Sequence, residues 1–201
     1  MCGIVGVVGL DDCAETLLDS LKRLEYRGYD SSGIVTQIGA SFSMTRAVGK
    51  LSALSHALRE TPLVGRSGIG HTRWATHGGV SERNAHPHIA DQKVAIVHNG
   101  IIENHVKLRT ELEEKGHKFA SETDSEVLAH LFLACFNSGM DARKAGAHVL
   151  SQIEGTFAFA AMHVDQPDVM IVGRNASPLA IGIGEGLSLI HIWTLPTIRL
   201  V

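Results

Sequence analysis

Two periodicities divide the chain. Ile4 to Val8 is a short apolar run bounded by Gly3 and Gly9, which predicts a buried strand. After it, Asp11 or Asp12 is placed to cap a helix whose apolar stripe is Leu17, Leu18, Leu21 and Leu24, with Gly28 ending it. Gly33 to Ile38 and Phe42 to Ala47 predict a hairpin about Gly39-Ala40. Leu51 to Glu60 predicts a helix stopped before Pro62. Ser67 to His71 and Lys93 to His98 predict strands, separated by a polar, irregular stretch from Thr72 to Gln92. A loop of that length inside a compact domain is usually functional.

Helical spacing returns at Asn104 to Lys115, closed by Gly116. In the next helix, capped by Thr123 or Asp124, Val127, Leu128, Leu131, Phe132 and Cys135 form an inner face. Asp141 to Ile153 predicts a third helix, followed by strands at Thr156–Val164, Val169–Val172 and Leu179–Ile183. Strands early, helices in the middle and strands late predict a layered α+β domain.

The composition agrees with a globular chain. Of its 201 residues 44% are apolar and 19% charged, and the formal net charge is −3, which leaves no basic footprint for nucleic acid. No apolar run reaches the ~18 residues of a membrane span. Cys2, Cys13 and Cys135 include no C-x-x-C pair, so neither a disulfide framework nor a zinc site is expected. The N-terminus lacks a positive region and a cleavage site, so no signal peptide is expected and the cytoplasm is the expected home. The 12 histidines invite a metal reading, yet no H-E-x-x-H spacing occurs, and no metal or cofactor is expected.

Cys2 carries the most chemistry. If Met1 is trimmed, Cys2 presents a thiol and a free α-amine on one residue, the pairing of nucleophile and base found where an N-terminal amine activates its own side chain. The plainer alternative is a small residue opening a buried strand. Arg73, at a strand end, can grip a carboxylate bidentately or form a surface salt bridge. Trp74, in a Gly-flanked loop, suits a lid or simply packs. Asn99-Gly100 is first a turn signal, but an amide and a backbone N–H at a strand end also make an oxyanion hole. Asp124 is either a helix cap or a carboxylate for a substrate ammonium.

Six motifs carry a resemblance: Cys2-Gly3-Ile4-Val5-Gly6, Arg27-Gly28-Tyr29-Asp30-Ser31-Ser32-Gly33, Thr72-Arg73-Trp74-Ala75-Thr76-His77-Gly78, Asn84-Ala85-His86-Pro87-His88, His98-Asn99-Gly100-Ile101-Ile102-Glu103-Asn104 and Ser121-Glu122-Thr123-Asp124. In this order they resemble the glutaminase domain of the glucosamine-6-phosphate synthases (glutamine–fructose-6-phosphate aminotransferases), within the N-terminal-nucleophile glutamine amidotransferases. The amidophosphoribosyltransferases are the nearest rival, but their arginine loop lacks the Trp-Ala-Thr-His run. An inactive gene fragment is a further alternative.

The resemblance implies a four-layer αββα sandwich of two antiparallel sheets between helical layers. It implies Cys2 as nucleophile and Asn99 and Gly100 as the oxyanion hole. It implies Arg73 on the carboxylate and Asp124 on the ammonium of L-glutamine, with Trp74, Thr76 and His77 completing the pocket. The full-length enzyme of that family, expected to be a homodimer, uses the ammonia on fructose 6-phosphate in sugar-isomerase domains, which are not expected here. The resemblance runs over residues 1–186. Leu187-Ser188-Leu189-Ile190-His191-Ile192 resembles a translated sequencing adapter, so residues 187–201 are expected to be a non-native tail and the domain to be truncated, the alternative being a divergent, apolar C-terminal strand.

Overall fold

The computed structural model describes residues 2–75, 77–184 and 187–191. Ten strands form two antiparallel sheets among the described residues. The first sheet has the order β3 (Ser41–Val48), β2 (Ser31–Ile38), β4 (Ser67–Arg73), β1 (Gly3–Val8), β10 (Leu187–His191), β9 (Ala180–Gly184). The second has the order β5 (His88–Ala90), β6 (Val94–Ile102), β7 (Gly155–His163), β8 (Met170–Asn175).

Helices cover the outer faces. On the first sheet lie α1 (Cys13–Lys22) and α2 (Leu51–Glu60), whose Leu17, Leu21 and Leu54 join Val5, Val7 and Ile34 in one core. On the second lie α3 (His105–Glu114), α4 (Glu126–Asn137) and α5 (Ala142–Gln152), packed over Val94, Ile96, Phe157 and Phe159. A third core fills the space between the sheets, where Ile4, Val35 and Ile69 meet Ala95, Val97, Ala158, Ala160 and Met162. Alternation along β6 thus sends even positions to the helices and odd positions to the facing sheet. The expected four-layer sandwich is the observed one. Each fully buried leucine or isoleucine contributes ~1.5–3 kcal/mol to these cores.

Several expectations need correction. Strand β4 does not stop at His71 but runs through Thr72 and Arg73, which pair with Ser32 and Ser31. Asn99-Gly100 is not a turn. Strand β6 continues through it to Ile102 because β7 pairs with it along its whole length, and that ladder outweighs a two-residue turn preference. Gly100 has φ +129°, and a Cβ there would strike the Thr156 carbonyl oxygen. Neither Asp12 nor Asp124 caps a helix with its side chain, whereas the Asp141 carboxylate does accept the Lys144 N–H at 2.8 Å. The stretch from Thr72 to Gln92 contains the short β5. The segment expected to be foreign begins with β10, which pairs with β1 and β9, and residues 192–201 lie outside the described residues. Among the described residues no helix is long and apolar enough to cross a membrane.

Candidate active site

Strand β1 sits between β4 and β10, and its first residues, Gly3 and Ile4, pair with Thr72 and His71 of β4, which anchors the residue at its head. That residue is Cys2, half-buried. Its Sγ accepts the Trp74 N–H at 3.3 Å, and its carbonyl accepts the Asn99 side-chain amide at 3.1 Å. The next residue is fixed too: the Gly3 N–H donates to Thr72 Oγ1 at 3.2 Å. A Cβ at Gly3 would lie 2.8 Å from Leu24 Cβ and from Thr72 Oγ1, so only glycine admits this approach.

A small pocket opens beside Cys2. Arg73, Trp74, His77, Gly100 and Asp124 line it, together with His71, His86, His98, Thr123 and Ser125. The structure therefore brings together every expected site residue that it describes, with Asn99 held against Cys2 through its amide. Thr76 lies outside the described residues.

Arg73 is 4% exposed. Its guanidinium donates to the carbonyls of His77, Gly78 and Gly79, so it folds the loop after β4 back over itself. Burial lowers its pKa, while Cys2, Asp30 and Asp124 act in the opposite sense. Asp30 fastens the near end of the loop, accepting the Ala75 N–H at 2.6 Å and donating its own N–H to the Arg73 carbonyl at 3.1 Å. Asn84 fastens the far end through Gly79 O at 3.0 Å and Glu122 N at 2.9 Å. The Trp74 ring meets Tyr29 edge-on at 5.4 Å and remains 44% exposed.

Asp124 is buried at the N-terminal approach to α4. Its Oδ2 accepts the Ile102 N–H at 2.9 Å, which ties the end of β6 to the pocket. Burial raises the Cys2 thiol above its ordinary range, against the lowering effects of the Trp74 N–H and the Arg73 charge. The resting sulfur is thus a thiol, and a base is needed to make it a nucleophile.

Four histidines were not anticipated at the site. His71, His86 and His98 are buried on the pocket wall, with His88 buried beside them. Burial drives His71 and His86 well below the ordinary imidazole range, His88 to about 3 and His98 to about 4. One nitrogen of each of two rings binds a protein group: His71 Nε2 donates to the His98 carbonyl at 3.0 Å, and His88 Nε2 meets Thr123 Oγ1 at 3.0 Å. His86 Nδ1 accepts the His98 N–H at 3.4 Å. Among the described residues no cluster of three histidine, cysteine or carboxylate side chains is arranged to hold a metal ion.

Two sheets between helical layers, with a cysteine heading a central strand over an arginine- and aspartate-lined pocket, define the architecture of the N-terminal-nucleophile amidotransferases. The chain belongs to the glutamine amidotransferase domain family, whose model matches residues 71–190. It is 51% identical over 186 residues to a glutamine–fructose-6-phosphate aminotransferase (isomerizing) of Zymomonas mobilis, covering 92% of this chain and 30% of that protein. A namesake from Rhizobium meliloti is 50% identical over 186 residues with the same coverage. The chain thus spans about 30% of the length of these curated relatives. Among solved structures, a glutamine phosphoribosylpyrophosphate amidotransferase from B. subtilis superposes with TM-score 0.80 at 28% identity, covering 94% of this chain and 41% of that one.

Proposed function

We propose that this chain hydrolyses the side-chain amide of L-glutamine to glutamate and ammonia through a thioester on Cys2. In a longer protein, like the relatives it matches, that ammonia would aminate fructose 6-phosphate. The observation that carries the reading is the convergence of Cys2, Gly100, Arg73 and Asp124 on one pocket, with the Asn99 amide held against Cys2. Identity near 50% to the sugar aminotransferases, against 28% to the phosphoribosyl enzyme, favours the sugar over the phosphoribosyl acceptor.

Trimming of Met1 frees the α-amine of Cys2, whose ordinary pKa of ~7.7–8.0 suits a base at neutral pH. The amine takes the thiol proton as sulfur attacks the amide carbon. The Asn99 amide keeps one N–H on the Cys2 carbonyl, and its second N–H, with the Gly100 N–H, receives the tetrahedral oxyanion. The protonated amine gives its proton to the departing nitrogen, which leaves as ammonia. Water then hydrolyses the thioester, restoring the thiol and releasing glutamate. Arg73 binds the substrate carboxylate and Asp124 its ammonium, Trp74 and His77 line the same pocket, and Thr76 contributes to it as the resemblance implies.

The test is ammonia release from glutamine by the purified chain, with its N-terminal mass recorded. Wild type with Met1 removed is expected to turn over and to be labelled at Cys2 by a glutamine analogue with an electrophilic side chain. Cys2→Ala is expected to release none above background; ammonia at the wild-type rate from Cys2→Ala overturns the reading.

A further inference from the structure

His98 is 2% exposed and lines the pocket, yet its Nε2 is buried without a hydrogen-bond partner among the described residues. A buried polar atom left unpaired is costly, and at a ligand pocket it marks where a ligand group or a water belongs. The other ring nitrogen, Nδ1, lies 2.8 Å from Ser125 Oγ, and Ser125 Oγ faces Asp124 Oδ1 at 3.5 Å.

One arrangement uses both contacts: the Ser125 hydroxyl proton turns toward Asp124 Oδ1, and Ser125 Oγ accepts from His98. That places the His98 proton on Nδ1 and leaves Nε2 as a bare lone pair. Burial keeps the ring neutral, with its pKa at about 4 despite the neighbouring Asp124. The backbone of His98 is clamped as well, its carbonyl by His71 and its N–H by His86, so the ring has little freedom to turn away.

We infer that His98, oriented by Ser125, is a second acceptor for the substrate's α-ammonium, sharing that group with Asp124. The inference rests on the glutaminase reading above and deepens it. A carboxylate alone attracts any cation. A carboxylate beside a neutral lone pair matches an ammonium with several N–H donors, and so selects an α-amino acid amide over the same amide without the amino group.

The experiment compares glutamine with 5-amino-5-oxopentanoate, which is glutamine lacking the α-amino group, in wild type and His98→Phe. The ratio of kcat/KM for the two substrates is expected to fall about 10- to 100-fold in the variant, as for loss of a hydrogen bond to a charged group, chiefly through a higher KM for glutamine. Parallel losses on both substrates, leaving the ratio unchanged, would overturn the assignment and make His98 structural. Should His98→Phe not fold, Ser125→Ala frees the tautomer and is expected to lower the same ratio; an unchanged ratio there overturns the assignment equally. Absence of turnover by wild type on either substrate overturns the glutaminase reading itself, and this inference with it.

Discussion

Asn99 shows how one side chain can hold two strands of different sheets in register at a pocket. Its amide already bonds the Cys2 carbonyl, so the donor and the sulfur-bearing residue share one frame across the two sheets. An oxyanion donor is typically worth ~3 kcal/mol of barrier. Asn99→Ala should therefore lower kcat by roughly 10²-fold or more while the thermal melt stays near that of wild type. Turnover close to normal would remove Asn99 from the oxyanion hole. The sequence made Cys2, Arg73, Asn99, Gly100 and Asp124 legible because each carries a distinctive group at a motif. It hid the buried histidines, since His71, His86, His88 and His98 read as polar positions near a loop until two sheets close over them. It also obscured what Arg73 binds in this state: carbonyls of its own loop, which no spacing rule foretells.

Elements were legible where local pattern decides and illegible where distant partners decide. Helix α2 and the β2–β3 hairpin fall close to the limits their periodicity and turn residues predict. The extension of β6 past Asn99 and the pairing of β10 with β1 depend on neighbours far along the chain. The loop after β4 belongs to the same class, because its shape comes from Asp30 at one end and Asn84 at the other. Asn84→Ala removes the contacts to Gly79 and Glu122 at ~1 kcal/mol each, which frees the loop without touching the nucleophile. Limited proteolysis near Gly78 and Gly79 should quicken several-fold. Unchanged proteolysis would show that Asn84 does not hold the loop.

For the molecule as a whole, the buried histidines set the response to acid. Their pKa values are lower folded than unfolded, so below about 6.5 the unfolded chain binds more protons than the folded one. Their contribution is intact above that pH and is lost as pH falls toward about 4, where His98 itself protonates. Between pH ~7.5 and ~5.5 the four rings together remove up to about 5 kcal/mol. The urea midpoint should drop markedly over that interval, and an unchanged midpoint would contradict the neutral, buried state of these rings. Glu126 adds a later loss: burial raises its pKa, but the His130 imidazole, Ser121 and backbone N–H groups bring it down to about 2, so its share disappears only below about 4.5.

The self-folded loop of Arg73 has a kinetic and thermodynamic corollary. The same guanidinium that holds the carbonyls of residues 77–79 also lines the pocket. In the proposed role of Arg73, an incoming carboxylate and the loop compete for one cation, and loop position and pocket occupancy become linked equilibria. By linkage, the carbonyl contacts weaken carboxylate capture by the same factor that a bound carboxylate weakens those contacts. Arg73 thus couples the arrival of an anion to the rearrangement of the segment that carries Trp74.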